Sequence, residues 1–375
     1  MKIVLDPQIF NSQKYGGISR YYTEIFSILS KKTDVDVSVP LYITNNVYFN
    51  QSSLISVRQK KNARFIQILS FFGISTRKRV KRASFAEAIK SISKKNFDLF
   101  IPTYYDSYFV EYIDSIPFVL TVYDMIHELF PQYFLDDTQN IAVNKYLLME
   151  KATKIIAVSE NTKRDIIRLC PKIDSNKIEV IYHGCSLKVN SNIIVDLPSK
   201  YILFVGAREN YKNFFFLVNS IKEILDADSE LILLCAGGGK FSDKENKFIG
   251  NLGLNKKIIQ INFKEEELGS YYKNAICFVF PSMYEGFGIP VLESMTSGCP
   301  IVLTNSSSFP EVAGDAGIYF ENNNADDLRE KIIKVMTDNV YRTEYVNKGL
   351  IQVQKFTWED AAEKCYKLYA QTIKN

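Results

Sequence analysis

Glu285 and Glu293 stand eight residues apart on either side of a glycine-rich turn, EGFGIPVLE. On one continuous helix they would lie about 80° apart in azimuth and roughly 12 Å apart along the axis, too far for one ligand to use both. With Glu285 in a loop and Glu293 about a turn into a helix, both can face the same ligand. The residues between them suit an anion. Gly286 and Gly288 let main-chain amides approach closely, and Phe287 and Ile289 add amides at a helix start, where the dipole favours negative charge. Carboxylates beside phosphate-binding amides make sense if they meet hydroxyls, so the implied ligand carries phosphates and sugar rings together, as a sugar nucleotide does. Two cations follow Gly206 in GARENYKNF. Arg208 offers a fixed fork and Lys212 a point charge, which together would neutralise charge building on a leaving diphosphate.

These residues need strands behind them. Residues 275–280 (AICFVF) read as a buried parallel strand leading into the turn, and Pro290 suits a first helical position. Residues 201–205 (YILFV) form another such strand, directly before Gly206. Residues 231–235 run into AGGGK, which is no P-loop, because Phe241 follows Lys240 where Ser or Thr is required. Earlier in the chain, residues 2–5, 97–101 and 117–122 read as strands. Gly16 and Gly17 precede a helix with one apolar face (ISRYYTEIFSIL), where they either admit a phosphate or simply open the helix. A stretch rich in Ser, Asn and Lys near 185–200 divides the chain into domains 1–188 and 200–357, with a last helix beginning at Trp358.

The chain of 375 residues is long enough for two cores. Its net charge of +4 is too mild to argue for nucleic acid. No run of about 18 apolar residues is present, and the polar start MKIVLDPQIF does not read as a signal peptide. Six scattered cysteines without a C-x-x-C pair point to a reducing, cytoplasmic setting. With two histidines, His127 and His183, a His-rich metal site is excluded.

EGFGIPVLE resembles the E-x7-E element of the retaining family-4 glycosyltransferases, enzymes of the GT-B fold. DLFIPTYYDSYF, VLTVYDMIHELFP, AVSENTKRD and SSFPEVAGDAGIYF are similar to that family too. The resemblance is densest over 201–320 and weakest over 45–82. It implies an α/β architecture of two doubly wound, Rossmann-like domains facing a cleft, with the acceptor domain first and the nucleotide-sugar domain second. The C-terminal helix, about 358–375, would cross back onto the first domain. By the same resemblance Glu285 contacts the donor sugar and Glu293 the ribose. Arg208 and Lys212 belong to the phosphate-binding loop, and Gly16 and Gly17 lie near the donor phosphates. The chain departs from the pattern at Tyr123, where many relatives carry His before the Asp, here Asp124. A phenol can donate to a sugar hydroxyl but does not titrate as imidazole does. His127 either takes that role or is structural.

The resemblance implies transfer of a hexose from a nucleotide sugar to a hydroxyl with retained configuration, by front-side attack. No Asp-x-Asp motif stands at a strand end, so neither a divalent metal nor another cofactor is expected. GARENYKN resembles bacterial polysaccharide-assembly members, many of them mannosyltransferases, which makes GDP-mannose the first donor and a UDP-hexose the second. The expected acceptor is a glycan or lipid-linked saccharide of an O-antigen or capsule, with the enzyme cytoplasmic at the inner face of the membrane. Residues 65–82, an apolar segment running into Arg77, Lys78, Arg79, Lys81 and Arg82, either rest on anionic lipid or form a core helix with a solvated basic turn. The competing classes are a sugar-nucleotide epimerase of the same fold and a non-catalytic subunit.

Overall fold

The computed structural model describes residues 1–60, 77–190, 193, 195–208 and 210–374, with side chains in the second stretch described from residue 82. The basic and apolar segment expected to meet a membrane therefore lies outside the described side chains up to residue 81. No described helix is long and apolar enough to cross a membrane. The chain divides into two compact units, Met1–His183 with Trp358–Asn375, and Gly184–Thr357.

In the first unit the strands are β1 (Lys2–Leu5), β2 (Asp36–Ser38), β3 (Leu99–Ile101), β4 (Val119–Val122), β5 (Lys154–Ala157) and β6 (Ile178–Val180). All pair in parallel, in the orders β2-β1-β3 and β4-β5-β6, and a bridge between Phe100 and Phe118 joins the two runs. The chain leaves β1 towards β2 and then returns to its other side for β3. The loops after β1 and β3 thus diverge, and an open α/β sheet leaves a crevice at such a point. Helix α1 (Gly17–Leu29) buries Tyr21, Tyr22, Ile25, Phe26 and Leu29. The C-terminal helix α12 (Trp358–Lys374) buries Trp358, Ala361, Ala362, Cys365, Leu368, Tyr369 and Thr372, a three- and four-residue spacing that makes one apolar stripe. The two stripes pack together: Phe26 stacks on Tyr369 at 6.2 Å, Tyr21 meets Trp358 at 6.1 Å, and Lys32 pairs with Glu363 at 3.0 Å. The C-terminal helix therefore returns to the first unit, as the family resemblance implied. Truncating Phe26 or Tyr369 to Ala at this seam costs about 3–5 kcal/mol by analogy with other buried aromatics.

The second unit is one six-stranded parallel sheet of β7 (Lys200–Val205), β8 (Leu231–Ala236), β9 (Ile258–Ile261), β10 (Phe278–Phe280), β11 (Ile301–Thr304) and β12 (Gly317–Phe320), in the order β12-β11-β10-β7-β8-β9. Runs such as YILFV and LILLCA are covered on both faces, so they are apolar throughout rather than alternating. The direction of winding reverses between β7 and β10. The loops leaving these two strands therefore open beside one another, and they are the loops that carry Lys212 and Glu285.

Candidate active site

The loop after β7 begins at Gly206, with φ +105°, and makes a tight turn at Asn210–Lys212 before helix α6 (Phe214–Ala227). The loop after β10 runs from Pro281 to Gly288, whose φ of +88° turns the chain into helix α9 (Ile289–Thr296) with Pro290 in its first turn. Glycine is favoured there because an L side chain rarely adopts that backbone. The Met283 amide donates to the Tyr211 carbonyl at 2.8 Å, tying the loops together. Across this tie Lys212 Nζ lies 2.5 Å from Glu285 Oε1, with the two side chains 20% and 15% exposed. The ammonium also sits 5.0 Å from the centre of the Tyr211 ring and 5.7 Å from that of Phe280.

Glu285 is held in place by a run of small hydroxyls after β11, a support the sequence reading missed. Its amide donates to Ser307 Oγ at 3.1 Å. The Ser308 hydroxyl donates to the carbonyls of Glu285 and Phe287, Ser306 to Met283, and Thr304 to Ser282. The signal available was the triple serine directly following an apolar strand. Glu293 lies in α9, 7% exposed, and its Oε2 accepts from the fully buried Tyr272 hydroxyl at 3.2 Å. Tyr272 was likewise not singled out from the sequence.

Arg208 is not arranged as a fork awaiting phosphate. Its side chain is 3% exposed. Nε donates to Glu245 Oε1 at 2.7 Å, Nη1 to the Gly237 carbonyl at 3.0 Å, and Nη2 to the carbonyls of Gly238, Gly239 and Lys240. The cause is local. Three successive glycines with positive φ turn those carbonyls inward, and Glu245, in the first turn of α7 (Asp243–Asn251), provides the counter-charge. Burial opposes the charge on Glu245, but the Ser242 amide and the Arg208 guanidinium hold its carboxyl below the usual range. The loop packs so closely that a Cβ on Gly238 would come within 2.4 Å of the Gly206 carbonyl oxygen.

In the first unit, Gly16 is extended at φ 166°, and a Cβ there would meet the Gln13 side chain at 2.2 Å. The Gln13 carboxamide oxygen accepts from the Ser19 amide at 3.2 Å, so part of the α1 N-terminus beside Gly16 and Gly17 is already engaged. Tyr123 is buried, with its ring centre 5.9 Å from Tyr21, 6.3 Å from Tyr22 and 6.5 Å from His183. Tyr123 directly follows β4, whose residues are all buried, and its phenol lies in an aromatic cluster rather than at a ligand surface. Asp124 and His127 are only half-buried. Asp124 Oδ1 accepts from the Ile126 amide at 3.1 Å, and the His127 ring stacks on Phe134 at 4.1 Å. Burial, followed by the nearby Lys145 charge, lowers the His127 pKa against the opposing pull of Asp124, Glu128 and Asp137. His183 is buried, and desolvation pushes its pKa down to about 3.

One further group was not anticipated. Asp6 follows β1 and is fully buried, accepting from the Tyr108 hydroxyl at 2.5 Å and from the Thr103 hydroxyl at 3.3 Å. It ties the loops after β1 and β3, and burial pushes its pKa up to about 7. Among the described residues no group of three or more His, Cys, Asp or Glu could hold a metal ion.

Two family models match consecutive parts of the chain. Residues 15–189 match the model described as Glycosyltransferase Family 4, and residues 192–351 match Glycosyl transferases group 1. Among curated proteins, the chain is 27% identical to O-antigen chain mannosyltransferase B of Escherichia coli, over 67% of this chain and 69% of that protein. It is 25% identical to an uncharacterized glycosyltransferase of Methanocaldococcus jannaschii, over 69% and 70% of the two chains. Among solved structures it resembles sucrose-phosphate synthase from Thermosynechococcus elongatus, with a TM-score of 0.74, 17% identity, and 99% and 98% of the two chains covered. It also resembles Anabaena HepE in complex with UDP and glucose, with a TM-score of 0.72, 15% identity and 99% of each chain covered.

Proposed function

Since the chain belongs to the glycosyltransferases of the GT-B fold, enzymes that move a sugar from a nucleotide-sugar donor to an acceptor, we propose that the switch point of its second unit holds the donor and that the transfer retains configuration. The observation that carries this reading is the Lys212–Glu285 pair, joined across the two loops that diverge from β7 and β10. A diphosphate placed there would take the lysine as counter-charge, and the sugar hydroxyls would take the carboxylate. Gly286 to Ile289 contribute amides at the start of α9, and Glu293 takes the ribose hydroxyls.

In the proposed step the acceptor oxygen forms a bond to the anomeric carbon from the face the diphosphate leaves. The bond from that carbon to the phosphate oxygen breaks, and the acceptor proton passes to the departing phosphate. Lys212 stabilises the charge gained by the leaving group, which is where fixed electrostatics contributes most. Arg208 acts behind this site by fixing the triple-glycine loop. On the first unit, Asp124 and His127 meet the acceptor, while Tyr123 packs beneath them.

The first donor is GDP-mannose, and the acceptor is a glycan or lipid-linked saccharide of an O-antigen or capsule. Likeness to an O-antigen mannosyltransferase supports both assignments. A UDP-hexose is the second donor, favoured by the UDP and glucose bound in HepE. The enzyme works in the cytoplasm at the inner face of the membrane. Thermal unfolding with GDP, UDP, dTDP and ADP tests the donor. A nucleotide at a hundred times its Kd stabilises by about 2.7 kcal/mol. A selective rise in Tm with GDP supports mannosyl transfer, a selective rise with UDP reassigns the donor, and no rise with any nucleotide removes the proposed site.

A further inference from the structure

Lys145 lies on helix α4 (Ile141–Lys151), which carries none of the site residues named above. Its side chain is 0% exposed. A buried ammonium is stable only where hydrogen bonds and opposite charge replace its water. Nζ donates to the Asp124 carbonyl at 2.9 Å and to Glu128 Oε2 at 3.0 Å, and it lies 3.9 Å from Asp124 Oδ1. It also sits 5.2 Å from the centre of the Tyr105 ring, and the Tyr105 hydroxyl accepts from the Tyr123 amide at 3.1 Å. One ammonium thus gathers the whole turn that leaves β4, from Tyr123 to Glu128.

We propose that Lys145 is the positioning residue of this turn: it ties Asp124 to Glu128 and so sets the His127 ring in place for a sugar hydroxyl of the acceptor. The inference rests on the reading of Asp124 and His127 as acceptor contacts. Four charged groups act on His127: Asp124 and Glu128 from its own turn, Lys145 from α4, and Asp137 from the segment that follows, where Phe134 stacks on the ring. The three carboxylates favour an imidazolium, whereas burial and Lys145 oppose it and prevail. His127 Nδ1 and Glu128 Oε1 are both buried without a hydrogen-bond partner among the described residues, so Lys145 is the cation that offsets this acidic turn. A neutral imidazole can accept a hydrogen bond from a hydroxyl, and an imidazolium cannot.

The chain has only two histidines, which makes the test clean. Only His127 and His183 give imidazole signals in an NMR titration of the full-length protein, and His183 is held down to about 3. K145M leaves the three carboxylates opposed by burial alone, so the His127 midpoint rises above that of the wild type. E128Q removes one carboxylate and keeps the lysine, and the midpoint falls below that of the wild type. A merely structural role exposes the ring in both variants, bringing both midpoints up to about 6.5. The proposal is overturned if K145M leaves the titration unchanged, or if the two variants move it in the same direction. This titration requires neither donor nor acceptor, so it stands apart from the proposed reaction. Whether His127 meets the acceptor is read separately, from the acceptor KM of H127N.

Discussion

The Lys212 ammonium and the Glu285 carboxylate, 73 residues apart in the chain, meet at 2.5 Å across the two loops that diverge from β7 and β10. Each is largely withdrawn from solvent and each is the other's ion-pair partner. In the proposed site this pair would offer a cation to phosphate and an anion to sugar hydroxyls with little side-chain reorganisation on binding. Such preorganisation is how fixed charge lowers a barrier.

Arg208 and Glu245 form a second, more deeply buried pair with a different task. Removing one member of a buried pair leaves an uncompensated charge and costs about 3–5 kcal/mol, whereas replacing both by apolar residues is often neutral. R208M is therefore expected to lower the urea midpoint of the second unit strongly, and R208M/E245M to recover most of the loss. A variant R208M of normal stability but poor nucleotide binding would return the arginine to the phosphate.

Glu293 and the Tyr272 hydroxyl behind it make a testable ribose site. E293Q is expected to weaken binding of the selected ribonucleotide about tenfold or more, the usual consequence of losing a hydrogen bond to a charged group. Y272F should weaken it less, because it frees the carboxylate without removing it. Calorimetry with the matching 2′-deoxynucleotide provides the check, since the effect of E293Q must shrink there. An equal loss with both nucleotides would place Glu293 elsewhere.

Two buried groups of the first unit oppose one another in their dependence on pH. Burial raises Asp6 to about 7, against roughly 3.9 for an unfolded carboxyl. The native state therefore binds a proton that the unfolded chain has lost, and stability falls as pH rises through that window. Burial lowers His183 to about 3 from about 6.5, so the unfolded chain binds the extra proton and stability falls as pH drops. The two slopes nearly cancel between about pH 4 and 6.5. D6N removes the first and exposes the second, so it should lose about 1–2 kcal/mol more than the wild type on acidification from about pH 6.5 to about pH 5. Urea unfolding at the two pH values measures this difference, and parallel losses would contradict the Asp6 assignment.

The parts of this protein that follow from local pattern were legible in the sequence. The apolar run 201–205 lies in β7 and the run 275–280 ends in β10, whose three residues are all buried, and Gly288 with Pro290 marks the start of α9. The contact between Lys212 and Glu285 was not anticipated, since it depends on which strands become neighbours in the sheet. Side-chain direction was not legible. Arg208 sits in the motif that suggested a phosphate fork, yet four loop carbonyls and Glu245, 37 residues on, claim its guanidinium. Tyr123 lies at a strand end, as a ligand contact would, but it is buried among Tyr21, Tyr22 and His183. Lys145 and Tyr272 gave no signal at all, because a lone lysine or tyrosine on a helix is ordinary until its partners are known.

The most direct test of the account is the kinetics of K212A with the donor that the thermal panel selects. Release of nucleoside diphosphate gives turnover, and calorimetry gives nucleotide affinity. Lys212 acts on charge that develops as the diphosphate leaves, so turnover should fall about a hundredfold or more while affinity changes by only a few fold. An equal loss in both would make the lysine a holder of bound donor alone, and near-normal turnover would contradict the placement of the reaction at the Lys212–Glu285 pair.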